Sequence, residues 1–378
     1  MKIAIDASQI VFKTGVSFYT SNLLKGLSKI DKKNEYSVFA SSFRGNKVLK
    51  KTINSLNLEK NFTNKLFTLP LSYFEIFWNR MHLGNIESFL GKIDIFHASD
   101  WIQPPVKQAR VVTTIHDLAV YKYPELFPPR ILVNQKLRLK WLKKEADAVI
   151  AVSESTKKDI IKYLEIDPKK IFVIYEAVPT EHQVKADKSL VKKIKQKLNL
   201  NNYLLFVGTL EPRKNLKNVI KAFKLVVAKH PDLKLVVVGK TGWKVDKSKY
   251  ELEDLKPNIK FIEQADDKQL CALYAGAICL LYPSLYEGFG LPILEAINQG
   301  CPVVASNISS MPEIAGNAGL LVDPKKISKI ATAVIKILES KSLREKLINL
   351  GYKQLNKFSW EKTARQTLEV YQSLVKKA

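Results

Sequence analysis

Short apolar runs that stop abruptly at a glycine or polar loop, each followed by a helix-spaced segment, recur through both halves of the sequence. Runs of that kind are strands buried on both faces, and alternating them with helices leaves a chain few options other than parallel sheets covered by helices. In the first half they are Lys2 to Ala7, Tyr36 to Ala40, Ile93 to His97, Val111 to Ile115, Ala148 to Val152 and Ile171 to Tyr175. Pro179 to Leu190 is polar and irregular and reads as a linker. The alternation then restarts, with strands at Tyr203 to Val207, Lys234 to Val238, Ile259 to Ile262, Ala277 to Tyr282 and Pro302 to Ala305, and helices at Leu216 to Lys229, Ile327 to Glu339 and Leu343 to Asn356. At 378 residues the chain is long for one core, and two domains of roughly 150 to 200 residues are the natural division. The expected fold class is α/β: two doubly wound, Rossmann-like domains, residues 1–180 and 190–357, facing across a cleft. A ligand is expected outside the carboxyl ends of the strands. No period of roughly 20 to 50 residues recurs, which argues against a solenoid.

One stretch organises the second half. SLYEGFGLP, Ser284 to Pro292, follows an apolar strand and opens the helix-like run Ile293 to Gly300. Gly288 and Gly290 let the backbone come close to a ligand, and a helix start offers N–H groups and a positive dipole end to an anion. Glu287 and Glu295, with seven residues between them, place carboxylates beside that loop, an arrangement suited to hydroxyls on both sides of a phosphate. GTLEPRKN, Gly208 to Asn215, also sits between a strand and a helix, and its Arg213 and Lys214 suit a diphosphate, by forked hydrogen bonds and as a point charge. In the first half His116, in TTIHDLAVY, follows a strand, where it can hydrogen-bond a sugar hydroxyl or move a proton. A packed His116 with Asp117 as a cap is the plainer alternative. Gly15 follows the first strand and loop, weak evidence by itself for a nucleotide site. His97 has similar placement and weaker company, while His82, His182 and His230 show no coherent ligand spacing. There is no Asp-x-Asp triplet, His/Cys cluster, GxSxG or P-loop signature, so a leaving phosphate has to be neutralised by cationic groups and a helix end, with no divalent metal.

The formal net charge is +25, which favours polyanionic surroundings: nucleic acid, anionic lipid or phosphorylated substrates. Lysine spread over a solvated surface explains the charge equally well, and long Arg-rich tracts are absent. The segment Leu66 to Leu90 is aromatic and poor in charge, and KLRLKWLKK, Lys136 to Lys144, sets Trp141 among five cations. A core helix and a solvated face are the bland readings; together the two also fit a basic amphipathic surface that meets anionic lipid. Cys271, Cys279 and Cys301 show no pairing pattern and read as reduced thiols of a cytoplasmic protein. The opening MKIAIDAS reads as a strand, not a signal peptide, and no run of about 18 apolar residues suggests a membrane span.

Several separated segments agree with one family. MKIAIDAS with Gly15, VTTIHDLA, AVSESTKKDI, LLFVGTLEPRKNL, the block from Leu281 to Pro324 and the ending FSWEKTARQTLEVY together resemble the retaining, family 4 nucleotide-sugar glycosyltransferases of GT-B architecture. The resemblance implies that Glu287 contacts donor-sugar hydroxyls, that backbone at Gly288, Phe289 and Gly290 lines that sugar, and that Glu295 bridges the ribose hydroxyls. It implies that Arg213 and Lys214 hold the diphosphate, helped by the helix start after Leu291. Gly208, Gly239 and Gly15 would give the donor room, and His116 would face the transferred sugar. The closing helix, 358–378, would cross back onto the first domain. The activity implied is transfer of a hexose, mannose or glucose, from a nucleotide diphosphate sugar to a glycan or lipid-linked acceptor in surface polysaccharide synthesis. This would occur in the cytoplasm, with an anionic membrane surface as a further partner and nucleic acid not a partner. A catalytically silent sugar-nucleotide binder and a basic nucleic-acid-binding protein are the alternatives. The sequence departs from the family where Thr209 replaces a common arginine and where EAVP follows Ile171 to Tyr175 in place of an asparagine-glycine-valine ending.

Overall fold

β-Branched and aromatic residues fill the apolar runs, and in a computed structural model these become parallel strands. The structure describes residues 1–12, 14–242 and 255–375. Among these residues, β1 (Lys2–Asp6), β2 (Glu35–Ser41), β3 (Phe62–Phe67), β4 (Ile95–Ala98), β5 (Arg110–Ile115), β6 (Ala148–Ala151) and β7 (Ile171–Val173) form one sheet in the order β3-β2-β1-β4-β5-β6-β7. A second sheet, in the order β10-β9-β8-β11-β12-β13, contains β8 (Tyr203–Val207), β9 (Lys234–Val238), β10 (Ile259–Ile262), β11 (Cys279–Tyr282), β12 (Val303–Ser306) and β13 (Gly319–Val322). Each order runs outward from its first strand and then reverses, so β1/β4 and β8/β11 are switch points where connections leave in opposite directions and open a crevice. Register at the two points is set by Ile3↔Ile95 and Leu280↔Leu205.

The chain divides into two units, Met1–Glu176 with Ser359–Ala378, and Ala177–Phe358. The second unit's core joins Leu204, Phe206, Leu235 and Val237 of the sheet to Val219, Phe223, Ile330 and Val334 of covering helices. Unit 1 is closed by the helix Trp360–Val375, which lies against the helix Gly15–Ile30. A side chain at Gly26 would come within 2.9 Å of Ala364 Cβ and 3.0 Å of the Trp360 carbonyl, so the approach needs a residue without one. Thr363 Oγ1 donates to the Tyr175 carbonyl at 2.7 Å, and Tyr371 Oη lies 2.6 Å from His97 Nδ1. Of the remainder of the expected 358–378 helix, Phe358 and Ser359 precede the first turn and residues 376–378 lie outside the described residues. The three cysteines are buried and unbridged.

The Leu66 to Leu90 segment is not one helix. A short helix, Leu71–Phe74, passes into a π-helical turn, Glu75–Arg80. Phe74 and Trp78 are buried and stack at 4.2 Å, with Phe89 edge-on to both, whereas Tyr73, Ile76, Met81 and Leu83 are exposed. Lys136 to Lys144 falls in the helix Pro129–Glu145, but Arg138 is not part of a solvated face. It is 1% exposed and donates to the Ser99 carbonyl at 2.9 Å and to Asp100 Oδ1 at 3.2 Å. Trp141 stacks on His82 at 3.7 Å and donates through Nε1 to the Asn79 carbonyl.

Candidate active site

Two loops leave adjacent strands at the second switch point: residues 208–215 after β8, and 283–290 after β11. They are fastened to each other by Leu285 N–H donating to the Arg213 carbonyl at 2.7 Å and by Asn215 Nδ2 donating to the Pro283 carbonyl at 2.9 Å. The hydroxyls of Ser309 and Ser310 donate to the Glu287 carbonyl at 2.6 and 3.0 Å, and that of Ser310 also to the Phe289 carbonyl at 2.6 Å. Gly239 follows β9 with φ +152°, and a Cβ there would stand 2.0 Å from the Gly208 carbonyl oxygen, so the neighbouring loops meet only because residue 239 is glycine.

The fastened loops bring Arg213, Lys214 and Glu287 into one network. Arg213 Nη1 donates to Glu287 Oε2 at 2.9 Å, and its Nε to Glu211 Oε2 at 2.8 Å. Lys214 Nζ forms an ion pair with Glu287 Oε1 at 2.7 Å and donates to Tyr282 Oη at 3.0 Å, packing its ammonium over that ring. Glu287 is 5% exposed and Lys214 8%. Burial pushes the Glu287 carboxyl up, but Lys214 and Arg213 outweigh it and hold the group down at about 2. Burial pushes the Lys214 ammonium down, opposed by Glu287. An ionised Glu287 accepts hydrogen bonds and has no proton to give, which suits it to ligand hydroxyls.

Gly290, at φ +112°, precedes the helix Leu291–Asn298, which has Pro292 in its first turn. Phe289 is buried, its ring edge-on to Phe358 at 6.0 Å, so at that position the backbone and not the ring is offered to a ligand. Gly288 connects Glu287 to it, and Leu291 starts the helix. Glu295, in the middle of the helix, is 5% exposed. Its Oε2 accepts from Tyr274 Oη at 2.8 Å, and its Oε1 lies 2.8 Å from His182 Nδ1. His182 has no ligand spacing in sequence, and its segment reads as irregular linker; in space it is buried in a 3-10 turn, Thr180–His182. Partners 113 and 85 residues away carry no local signal.

His116 and Gly15 belong to unit 1. Gly15 opens its helix behind the N-cap Thr14, which forms a capping box with Ser17. His116, at the end of β5, contacts Glu176 Oε1 through Nδ1 at 3.1 Å and packs against the Tyr19 ring edge-to-face at 4.8 Å. Burial pushes its pKa down, but Glu176 reverses this and holds it above the ordinary histidine value. Glu176 stands in the EAVP departure, a second contributor that spacing does not reveal. His97 is 3% exposed, satisfied by Tyr371 and Thr114, and pushed down to about 3 by burial and by His116, which makes it a packed, neutral residue.

Twin Rossmann-like sheets, the second with a carboxylate held between arginine and lysine where its order reverses, have the GT-B architecture. The family profile of group 1 glycosyl transferases matches residues 187–354, and that of glycosyltransferase family 4 matches residues 13–182. O-antigen chain mannosyltransferase B of Escherichia coli is 32% identical over 285 residues, 74% of each chain. O-antigen chain mannosyltransferase RfbU of Salmonella typhimurium is 32% identical over 212 residues, 56% of each chain. The solved structure of Anabaena Alr3699/HepE in complex with UDP-glucose superposes with a TM-score of 0.73 at 19% identity, over 99% of this chain and all of that one, and shares its fold. The chain belongs to the group 1, family 4 glycosyltransferases and is a glycosyltransferase.

Proposed function

We propose that this enzyme transfers a hexose, mannose ahead of glucose, from a nucleotide diphosphate sugar to a glycan or lipid-linked acceptor in surface polysaccharide synthesis, with retention at the anomeric carbon. The observation that carries the reading is the ionised Glu287 between Arg213 and Lys214 at the second switch point. Glu287 accepts hydrogen bonds from donor-sugar hydroxyls, Glu295 from those of the ribose, and backbone around Gly208, Gly239, Gly288, Phe289 and Gly290 gives the donor room. The preference for mannose follows from the two mannosyltransferase relatives. In the reaction the bond from the anomeric carbon to the diphosphate oxygen breaks with its electron pair going to the diphosphate. The acceptor hydroxyl oxygen bonds to that carbon on the same face, and its proton passes to the departing diphosphate. Arg213, Lys214 and the helix start after Leu291 stabilise the growing charge, without a divalent ion. His116 meets a hydroxyl of the transferred sugar, and Gly15 gives the donor phosphates room.

The enzyme works in the cytoplasm against the inner face of a membrane. Tyr73, Ile76, Met81 and Leu83 are exposed beside a helix whose solvent side carries Arg130, Val133, Lys136, Lys140, Lys143 and Lys144. The two are joined by the His82–Trp141 stack and the Arg130–Glu75 ion pair. Apolar side chains flanked by cations suit an anionic lipid surface. No described helix is long and apolar enough to cross a membrane. Vesicle flotation is the test: binding to anionic but not neutral vesicles, lost in Met81→Asp/Leu83→Asp, is expected, and no binding at low salt removes the proposal.

A thermal-shift screen with GDP-, UDP-, ADP- and dTDP-sugars, followed by nucleotide release and NMR of the product anomer, tests the function. Stabilisation by one of the four nucleotide classes and turnover with its hexose donor, giving the donor's own anomer, is expected. Stabilisation without turnover on any acceptor would point to a silent binder, and stabilisation by none of the four classes would overturn the reading.

A further inference from the structure

A carboxylate buried as deeply as Glu295 requires hydrogen-bond donors on both oxygens. Tyr274 Oη supplies one at 2.8 Å, and His182 Nδ1 stands 2.8 Å from the other. The opposite ring nitrogen, His182 Nε2, lies 3.2 Å from Asp267 Oδ1. The ring is held in place through its backbone: the His182 carbonyl accepts from Asn298 Nδ2 at 2.8 Å and Gln299 Nε2 at 3.2 Å, and the Cys271 thiol also points at it. Four residues further on, Ala186 N–H donates to Gln299 Oε1 at 2.9 Å. The titratable groups around the ring are thus Glu295 from the helix Leu291–Asn298 and Asp267, Cys271 and Tyr274 from the helix Asp267–Gly276. Between two carboxylates an imidazole has to donate from both nitrogens, which only the imidazolium does.

We propose that His182 is a positioning residue of the donor site: clamped between Glu295 and Asp267, its imidazolium fixes the Glu295 carboxylate for two neighbouring ribose hydroxyls and ties donor affinity to the proton it carries. This rests on the reading of Glu295 as the ribose acceptor. Each Glu295 oxygen is engaged once by the protein and keeps acceptor capacity for one hydroxyl of a vicinal pair. When His182 loses its proton, one N–H disappears, one carboxylate faces a ring lone pair, and the cluster loses the positive charge that offset its carboxylates beside an anionic ligand. Burial pushes the imidazole down, but Glu295 and then Asp267 override it and hold it up at about 9, so the loss falls above neutral pH.

Calorimetric titration of the full chain with a nucleoside diphosphate and its 2′-deoxy counterpart, from about pH 7 to about pH 10, tests this. Wild type is expected to prefer the ribonucleotide and to bind more weakly as pH passes about 9. His182→Gln should bind roughly tenfold more weakly at neutral pH. It should also lose most of the ribose preference and show only the base's own titration, which all variants share. Asp267→Asn alters a side chain that is 47% exposed and is the variant to rely on if His182→Gln fails to fold; its inflection should move to lower pH. An inflection that stays in place in Asp267→Asn, or a ribose preference that survives in His182→Gln, overturns the inference. If that preference disappears in Glu295→Gln but survives in His182→Gln, the ribose reading stands and only the role of His182 falls. A wild type without any ribose preference removes the reading of Glu295 itself.

Discussion

Replacing Lys214 by methionine removes the cation 2.7 Å from Glu287 Oε1 while leaving Arg213 Nη1 at 2.9 Å from Oε2. The Glu287 carboxyl is held from its usual 4.5 down to about 2, and a difference of that size corresponds to about 3 kcal/mol of folded-state stabilisation at neutral pH. Because the folded value is the lower one, this contribution is present above pH 4.5 and is lost as pH falls through about 2. Deleting one partner of a buried ion pair costs about 3 to 5 kcal/mol, and the retained guanidinium places Lys214→Met at the lower end. For a unit of this size that is a fall in Tm of roughly 6 to 12 °C, read by calorimetry on the transition of the Ala177–Phe358 unit. Turnover should drop roughly 100-fold or more, as when one transition-state donor is removed. Glu287→Leu leaves Arg213 its Glu211 contact, and the double variant should recover stability, with a coupling energy of about 1 to 3 kcal/mol. Strictly additive losses in the cycle would refute the claim that Lys214 and Glu287 act as one unit.

Glu176→Asn removes the carboxylate that holds the His116 pKa up, so the His116 ring titration followed by NMR, and any matching limb of the kcat/KM profile, should move to lower pH; an unmoved titration would separate the two residues. Gly239→Ala forces a Cβ to 2.0 Å from the Gly208 carbonyl oxygen at φ +152°, and a loss of about 3 kcal/mol or more in chemical denaturation is expected. A variant as stable as wild type would contradict the tight loop contact.

That Arg213, Lys214 and Glu287 fall near one another is legible in sequence, because each follows a strand and a doubly wound order sets those two strands side by side, but their pairing with one another is not. Other features left no such trace. β3 begins Phe-Thr-Asn-Lys and exposes Thr63 and Asn64, while β13 begins at a glycine and exposes Leu321; both are sheet edges, where one side lacks a partner strand and the apolar pattern fades. Arg138 looks solvated among lysines, yet Asp100 and the Ser99 carbonyl draw it inward. Glu176 and His182 lie in a polar stretch with no periodicity, and their roles depend on partners from remote parts of the chain. Spacing identifies a side chain that follows its own strand; it cannot reveal one recruited by tertiary packing.

The helix Trp360–Val375 completes a unit whose other residues precede it by the whole of Ala177–Phe358, 182 residues by subtraction (358 − 177 + 1). At roughly 5 to 20 residues per second on a ribosome, that interval lasts about 10 to 40 s. Throughout it the nascent Gly15–Ile30 helix presents the Gly26 surface, whose partners Trp360 and Ala364 are not yet made. The order of synthesis thus requires the first unit to wait while the second is made, and a stop codon that removes only the closing helix would damage the N-terminal unit more than the Ala177–Phe358 unit.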